Sequence, residues 1–249
     1  GDVPESHWFH LGRSVTGVHG TPVLLSWSAS MFEYLMPLLI MRSYPETLLD
    51  GSCRMVVERQ KEYAAVRGVP WGISESAYSV VDRLNTYQYK AFGVPGLGLK
   101  RGLADELVVA PYATALAAMI DPAGSVENLR RLARHGLQSE YGMFDAIDYT
   151  HRDPEGPSAR RRAAKGVVVR TYMAHHQGML LVALANTLLD NCMPARFHAD
   201  ARMRATELLL QERRPRFAPT VQPRPVENVP VVAPAPSMPV RRYRTADTL

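Results

Sequence analysis

Three carboxylates lie among aromatic and apolar residues in this sequence: Glu75, Asp145 and Asp148. Apolar neighbours can desolvate one carboxyl group and raise its pKa, while a second carboxyl group in a polar setting stays ionised. Two carboxyl groups in different surroundings are what cleavage of a glycosidic bond requires. Aromatic faces can bind sugar rings, and the aromatic candidates here are Trp71, Tyr78, Tyr112 and Tyr149.

The local sequence predicts a helical setting for these carboxylates. Ser74 has the residue type of a helix N-cap, which places Glu75 in the first turn, where the helix dipole favours an ionised carboxylate. Asp145 and Asp148 are three residues apart and share a face if their segment is helical. Spacing alone favours structural roles over catalytic ones, with Glu75 as a helix-capping residue and Asp148 on a solvated surface.

The pair His175–His176 is predicted not to bind zinc. Adjacent helical positions diverge by about 100°, whereas two ligands on one helix face need a spacing of four. His176 follows an apolar stripe, as a core histidine would, while His175 and Gln177 suit a polar pocket. The sequence has no dinucleotide fingerprint, phosphate loop or serine-nucleophile motif. We therefore expect no metal and no cofactor.

Apolar periodicity predicts an all-α body of about seven helices that would position these residues. The predicted helices span residues 28–41, 49–67, 74–84, 111–120, 125–135, 166–190 and 200–213. Residues 87–103, which are rich in Gly, and residues 151–165, which are rich in Arg, are predicted as loops. No alternating pattern is long enough to predict a sheet.

Composition excludes several classes of protein. The chain has 249 residues, is 46% hydrophobic and carries a net charge of +5. No apolar run approaches the roughly 20 residues of a membrane span. Residues 213–249 contain seven Arg and two acidic residues, so they account for the whole net charge of +5. Residues 1–212 therefore carry no net charge, which argues against a nucleic-acid partner. Cys53 and Cys192 are predicted to be buried thiols, with no support for a disulfide.

The end of the chain differs in composition from the rest. Eight of the 19 prolines lie between Pro215 and Pro239, which predicts a linker. The chain starts with Gly rather than Met, so we expect a fragment or a processed piece. An incomplete body is expected to expose apolar surface.

Five longer motifs, in a fixed order, carry a family resemblance. They resemble the glucoamylase-like middle domain of cyclic β-1,2-glucan synthases over about residues 3–216, and they occupy residues 25–37, 69–78, 87–102, 109–114 and 172–179. That family is similar in fold to bacterial β-1,2-glucanases. The resemblance implies part of an (α/α)6 toroid, truncated at its N-terminus, over residues 1–213. Residues 214–249 would then be a linker toward a glycoside-phosphorylase-like region.

The resemblance also implies a reaction and a setting. In the synthases, a membrane-bound glycosyltransferase part builds a β-1,2-glucan chain, and the middle domain closes that chain into a ring by transglycosylation. The implied partners are the glucan and the other domains of the same polypeptide. The implied location is the cytoplasmic side of the bacterial inner membrane, through membrane-spanning parts of the parent protein.

Matched residue by residue, the paired catalytic acids of the family correspond to Glu75 and Asp145. Glu75 is assigned as the nucleophile and Asp145 as the acid/base, although the reverse assignment is also compatible. Asp145 stands where the family usually has Glu, and its side chain is shorter by roughly 1.5 Å. This difference matters because a misplacement of ~1 Å in a catalytic group can lower the rate about 10²-fold. The remaining candidates for sugar binding are Trp71, Tyr78, Lys100, Arg101, Tyr112, Asp148, Tyr149, His175, His176 and Gln177.

Two other functions stay open on the sequence. A plain β-1,2-glucan hydrolase would use water as the acceptor in place of the chain's own hydroxyl. A non-catalytic sugar-binding or packing module would follow if Glu75 and Asp145 were far apart or buried without a cleft. Lys100 and Arg101 fit contacts with sugar hydroxyls and structural ion pairs equally well.

Overall fold

The computed structural model describes residues 3–150, 165–215 and 221. Its α-helices are α1 (Met31–Leu35), α2 (Leu48–Val66), α3 (Pro111–Ala117), α4 (Pro122–Leu132), α5 (Ala174–Leu188), α6 (Cys192–Phe197) and α7 (Ala201–Thr206). Short 3-10 helices span Glu5–His10, Met36–Leu39 and Glu207–Gln211, and a π-helical turn spans Ala133–Leu137.

Helix α2 agrees with the predicted helix 49–67 to within one residue at each end. The Thr47 side chain accepts a hydrogen bond from the Asp50 N–H and so caps the helix N-terminus. Its buried face includes Cys53, and burial raises the pKa of that thiol to about 12. Cys53 is a buried free thiol as predicted, and Cys192 is a partly buried one.

Helix α3 lies at the centre of the core. All of its residues are buried, and it contacts α1, α4 and α5. Helix α4 begins earlier than predicted, at Pro122, because Asp121 caps it by accepting the Gly124 N–H. The helical path ends at Gly136 as the sequence indicates, because that residue has a φ of +87°, which favours glycine.

Four predicted helices are shorter than expected, and one of them, 111–120, ends as α3 at Ala117. Residues 28–41 form α1 followed by the 3-10 helix Met36–Leu39, whose first turn contains Pro37. Residues 200–213 divide between α7 and the 3-10 helix Glu207–Gln211. Residues 166–190 start with a strand, and α5 begins only at Ala174. In each case the apolar periodicity of the sequence extends beyond the residues that form the α-helix.

The all-α prediction is confirmed only in part, because the described chain is rich in helices but also contains strands. They are β1 (Val15–Val18), β2 (Thr21–Leu24), β3 (Ser76–Val81), β4 (Tyr87–Lys90), β5 (Val108–Val109), β6 (Gln138–Ser139), β7 (Gly142–Met143), β8 (Ala146–Asp148) and β9 (Val167–Val169). They pair antiparallel as β1–β2, β3–β4, β6–β7 and β5–β8–β9. Such short strands leave no long alternating pattern in a sequence, so periodicity missed them.

The predicted helix 74–84 is in fact the first half of the β3–β4 hairpin. Ala77 pairs with Tyr89, and a bulge follows between Tyr78 and Val81. Tyr78, Val80 and Val81 are residue types that favour strands. The predicted loop 87–103 begins as β4 and is irregular only after Lys90.

The irregular segment after β4 is fixed by backbone hydrogen bonds to the segment before α1. The Ser26 N–H donates to the Leu97 carbonyl oxygen, and the Val94 N–H donates to the Ala29 carbonyl oxygen. Gly93 lies so close to this segment that a Cβ there would be 1.7 Å from the Ser28 carbonyl oxygen. The loop is therefore well ordered and tightly packed, as predicted for a structured loop.

Apolar side chains remain exposed on one surface of α5. Leu181 is 68% exposed and Leu188 is 78% exposed, and they are seven residues apart on the same helix face. No helix in the described part of the chain is long and apolar enough to cross a membrane. Apart from Lys165, Arg213–Pro215 and Val221, the predicted loop 151–165 and tail 213–249 lie outside the described residues.

Candidate active site

Glu75 lies immediately before β3, at the base of the β3–β4 hairpin. Its side chain is half-buried. Ser74 does not cap a helix at this point, since its Oγ accepts the Phe32 N–H at 3.0 Å in the first turn of α1. The Tyr112 hydroxyl donates to the Glu75 carbonyl oxygen at 2.9 Å and fixes the backbone. The prediction that Glu75 lies in the first turn of a helix, where the helix dipole would act on it, is therefore wrong.

Asp145 lies just before β8 and is only 2% exposed. Its Oδ2 accepts the Ala77 N–H at 2.8 Å, which joins it to β3. Its Oδ1 lies 2.6 Å from Nδ1 of His176. Both carboxylate oxygens thus have hydrogen-bond partners inside the protein. Asp145 is linked to Tyr89 through the His176 ring.

Asp148 lies on β8, so the predicted helical face shared with Asp145 is wrong. Along an extended segment, side chains alternate between two faces, and residues three apart point to opposite sides. One oxygen of Asp148 accepts both the N–H and the hydroxyl of Ser79, and the other accepts the Thr150 N–H at 2.9 Å. Asp148 is buried and joins β8 to the hairpin, so it is not the solvated surface residue considered above.

His175 and His176 lie together in the first turn of α5. The His176 ring is buried and stacks on the Tyr112 ring, with the ring centroids 3.8 Å apart and 11° between the planes. The two imidazole rings lie only 4.1 Å apart, although the His175 residue is exposed. The expected divergence of the two side chains is wrong, because they turn toward the same neighbour.

That neighbour is Tyr89, which the sequence analysis missed as a site residue. Its hydroxyl lies 3.2 Å from Nε2 of His175 and 3.1 Å from Nε2 of His176. Tyr89 is on β4, directly across from Ala77, whose N–H binds Asp145. The sequence signal for this position is the alternation of Tyr87 and Tyr89, which is typical of a strand and lies within the predicted loop 87–103.

Burial and nearby charges set the protonation of these groups. Burial, followed by the negative charge of Glu75, raises the pKa of the Tyr89 hydroxyl. Burial raises the pKa of Tyr112 well above its ordinary value. Desolvation, with a smaller effect from neighbouring His176, lowers the pKa of His175. At neutral pH both phenols are therefore protonated, and His175 is neutral.

Glu75, His175 and His176 form a compact group of possible ligands. One donor atom from each residue lies within 4.8 Å of the donor atoms of the other two. Carboxylate oxygen and imidazole nitrogen are both ligands of Zn²⁺ and of related divalent metals. Adjacent positions on α5 therefore do not prevent His175 and His176 from sharing a metal ion, contrary to the prediction from helical spacing.

Three further candidates, Tyr78, Lys100 and Arg101, lie on or near the β3–β4 hairpin, and a fourth, Gln177, lies on α5. The Gln177 Nε2 donates to the Met143 carbonyl oxygen at 3.1 Å, one residue after the histidine pair. The Tyr78 ring packs edge-on against Phe92, with the ring centroids 5.7 Å apart. Lys100 and Arg101 line a cavity of about 660 Å³, which also includes Phe92.

Two aromatic candidates lie outside the group of Glu75 and the histidines. Trp71 lines a separate cavity of about 380 Å³, and its backbone hydrogen-bonds to the Asn128 side chain. The Tyr149 hydroxyl lies 3.3 Å from Nδ1 of His135. Of the four predicted aromatic residues, Tyr112 contacts this group directly, through Glu75 and His176.

One curated protein matches most of the chain. It is the cyclic β-(1,2)-glucan synthase NdvB of Rhizobium meliloti (strain 1021), which is 46% identical over 222 residues. The alignment covers 89% of this chain, and the chain spans only 8% of the length of that relative.

Solved structures match at lower identity. The endo-β-1,2-glucanase of Chitinophaga pinensis is 16% identical, with a TM-score of 0.57, over 80% of this chain and 46% of the glucanase. The β-1,2-glucanase of Parabacteroides distasonis is 17% identical, with a TM-score of 0.53, over 83% of this chain and 29% of the other. These matches show that the fold is shared.

A protein-family model agrees with both comparisons. The model named Glycoamylase, described as "Putative glucoamylase", matches residues 2–200. That span includes Glu75, Asp145, both histidines and Tyr89. The chain therefore belongs to the glucoamylase-like family of carbohydrate-active enzymes.

Proposed function

We propose that this chain is the ring-closing module of a cyclic β-1,2-glucan synthase and acts on linear β-1,2-glucan by retaining transglycosylation. The observation that carries the proposal is that the half-buried Glu75 lies beside His176, whose ring is hydrogen-bonded to the buried Asp145. These are two carboxylates in unlike environments, as acid–base chemistry on a glycoside requires.

The relatives support the substrate class. The 46% identical relative is named as a cyclic β-(1,2)-glucan synthase, and the glucanases that share the fold are named for the same linkage. Because the chain spans 8% of the synthase, the activity and partners of the whole protein are part of the proposal.

The stereochemistry dictates two displacements. A β-linkage is broken and a β-linkage is formed, so the anomeric carbon must be inverted twice. We assign Glu75 as the nucleophile, which forms a covalent glycosyl-enzyme as the leaving oxygen takes up a proton. The far hydroxyl of the same glucan chain then attacks the anomeric carbon, releases Glu75 and returns its proton to the protein.

We assign the acid/base function to Asp145 acting through His176. Asp145 holds the Nδ1 side of the ring at 2.6 Å, and the opposite nitrogen, Nε2, lies 3.1 Å from the Tyr89 hydroxyl. A proton on Nε2 can be given to the leaving oxygen and recovered from the attacking hydroxyl, while Asp145 stabilises the charged imidazole. This arrangement lets a short, buried Asp145 serve the site without touching the sugar.

The other assigned residues fit sugar binding to different degrees. His175 lies beside Glu75 and His176, and Gln177 follows the two histidines on α5; both are proposed to bind sugar hydroxyls. Tyr78, Lys100 and Arg101 are proposed to bind a more distant part of the glucan. Substrate contacts remain proposals for the packed residues Trp71, Tyr112, Asp148, Tyr149 and His176.

The wider architecture is also a proposal. We propose that residues 1–213 belong to an (α/α)6 toroid and that residues 214–249 lead to a glycoside-phosphorylase-like region. The parent protein would carry the module at the cytoplasmic side of the bacterial inner membrane. The shared fold with the β-1,2-glucanases supports the first of these statements.

A product analysis distinguishes this function from its alternatives. The full-length parent protein is incubated with linear β-1,2-glucan, and the products are analysed by mass. Rings, lighter than linear chains of the same length by one water, are the expected result. Linear fragments alone would establish a hydrolase, the activity named for the relatives that share the fold. An unchanged glucan that still binds would establish a non-catalytic sugar-binding module.

A further inference from the structure

We propose that Glu75, His175 and His176 form a binding site for a divalent transition-metal cation, with Zn²⁺ as the representative ion. The three donor atoms come from the base of the hairpin and from the first turn of α5, and they lie within 4.8 Å of one another. Zinc bonds to nitrogen and oxygen are about 2.0–2.2 Å long. A shift of roughly 1 Å in side chains would therefore close the group around an ion.

The second shell of this group is already built. Asp145 accepts from Nδ1 of His176 at 2.6 Å, so the neutral form of the ring has its lone pair on Nε2, the atom that lies 3.1 Å from the Tyr89 hydroxyl. A carboxylate behind a histidine in this way orients the ring and strengthens it as a metal ligand. Tyr112, stacked on the same ring, prevents it from rotating. His176 is thus prepared as a ligand before any ion arrives.

The ligand types and charges of the group also suit a cation. Glu75 and Asp145 together provide two negative charges around the site. Two imidazoles and a carboxylate favour Zn²⁺ over Mg²⁺, which prefers oxygen ligands alone.

Tyr89 stands in the position that the ion would take. Its hydroxyl is 3.2 Å and 3.1 Å from the two Nε2 atoms, so it occupies the space between them. The residue is 39% exposed and lies on a hairpin strand, so its ring can move outward. We expect the cation to displace this hydroxyl, which makes Tyr89 a competitor of the metal.

The effect on catalysis rests on the proposed function, whereas the binding itself does not. A cation held by Glu75 would occupy the carboxylate that we assign as the nucleophile. Zinc would therefore inhibit ring closure and compete with the glucan, rather than serve as a cofactor.

The test titrates the full 249-residue chain with Zn²⁺ by calorimetry, without any glucan. We expect one zinc ion per chain and no heat with Mg²⁺. The variants Glu75→Gln and His175→Ala should each weaken zinc binding at least tenfold, since each removes one ligand. The matched control is His19→Ala, an exposed histidine that lies 2.6 Å from Glu62 and should leave the affinity unchanged.

Two further measurements test the ligands of the zinc ion directly. Tyr89→Phe, which removes the competing hydroxyl, should bind zinc more tightly than the wild type. Co²⁺ in place of Zn²⁺ should give a visible absorption band that is lost in His175→Ala, with circular dichroism reporting that each variant is folded. Equal zinc binding by the wild type and a folded His175→Ala would overturn the site. Because no glucan is present, that result would leave the proposed enzyme function standing.

Discussion

Asp145 illustrates how one buried carboxylate organises several side chains. It receives the Ala77 N–H and the Nδ1 side of His176, so it connects the hairpin with the first turn of α5. His176 in turn reaches Tyr89. The geometry of the candidate site therefore depends on a residue that is itself buried.

Replacing Asp145 tests how much its hydrogen bonds contribute to the stability of the fold. Asp145→Ala leaves two buried donors without acceptors, each at a cost of about 1–3 kcal/mol. We expect the free energy of unfolding, measured by urea titration, to fall by at least about 2 kcal/mol. Asp145→Asn keeps one acceptor oxygen and should lose less. Equal stability of Asp145→Ala and the wild type would contradict this account.

The residue types at the site could be predicted, but several of their roles could not. Glu75, Asp145, Tyr112, His175 and His176 were all candidates from the sequence, and they lie together. The sequence does not show which carboxylate is buried, because that depends on a contact across 31 residues of chain. Tyr89 was missed because its place opposite Ala77 is a matter of strand register.

At the scale of elements, helices α2 and α4 are joined by an ion pair at a helix cap. Lys61 of α2 lies 2.7 Å from Asp121, which also accepts the Gly124 N–H at the start of α4. The hydrogen bond from Lys61 lowers the pKa of Asp121. Because the folded-state pKa is lowered, the stabilisation is present above the ordinary value near 4 and is lost as the pH falls.

This pair gives a pH-dependent prediction. Asp121→Asn keeps a capping side chain but loses the charge, and we expect a loss of about 0.3–1 kcal/mol at pH 7, since the pair is partly solvated. Asp121→Ala should lose about 1 kcal/mol more because the cap is also removed. Urea unfolding at pH 7, 5 and 3 should show the difference between Asp121→Asn and the wild type shrinking. A difference that stays constant down to pH 3 would exclude the charge as its cause.

Elements were predictable where they are long and capped. Helix α2 has a clear N-cap at Thr47 and an apolar face that repeats over five turns, so its ends were found within one residue. The β3–β4 hairpin was missed because Ser74 has the residue type of a cap, yet its Oγ serves α1 from another part of the chain. A local sequence cannot show which helix a capping side chain will reach.

For the whole molecule, the notable surface is the apolar face of α5. Leu181 and Leu188 are each more than two-thirds exposed. A helix in a globular protein normally buries its apolar face against the core. The sequence predicted exposed apolar surface but not its location. Its position on the helix that carries the histidine pair depends on how α5 packs against α3.

This face predicts the behaviour of the chain in solution. We expect the 249-residue chain to self-associate with rising concentration, because exposed apolar patches favour association. The double substitution Leu181→Lys and Leu188→Lys should shift the weight-average mass in sedimentation equilibrium toward the monomer. Because both side chains are exposed, the melting temperature should not fall. A wild-type chain that remains monomeric at all concentrations would contradict the prediction.

The central claim is that Glu75 carries ring closure, and one measurement tests it most directly. The rate of ring formation from linear β-1,2-glucan is compared in the full-length parent protein for the wild type, Glu75→Gln and the matched control Glu58→Gln. Glu58 is an exposed residue of α2 paired with Lys61. We predict that Glu75→Gln lowers the rate by at least about 10²-fold, while Glu58→Gln leaves it unchanged. Ring formation at the wild-type rate in folded Glu75→Gln would show that the catalytic carboxylate lies elsewhere.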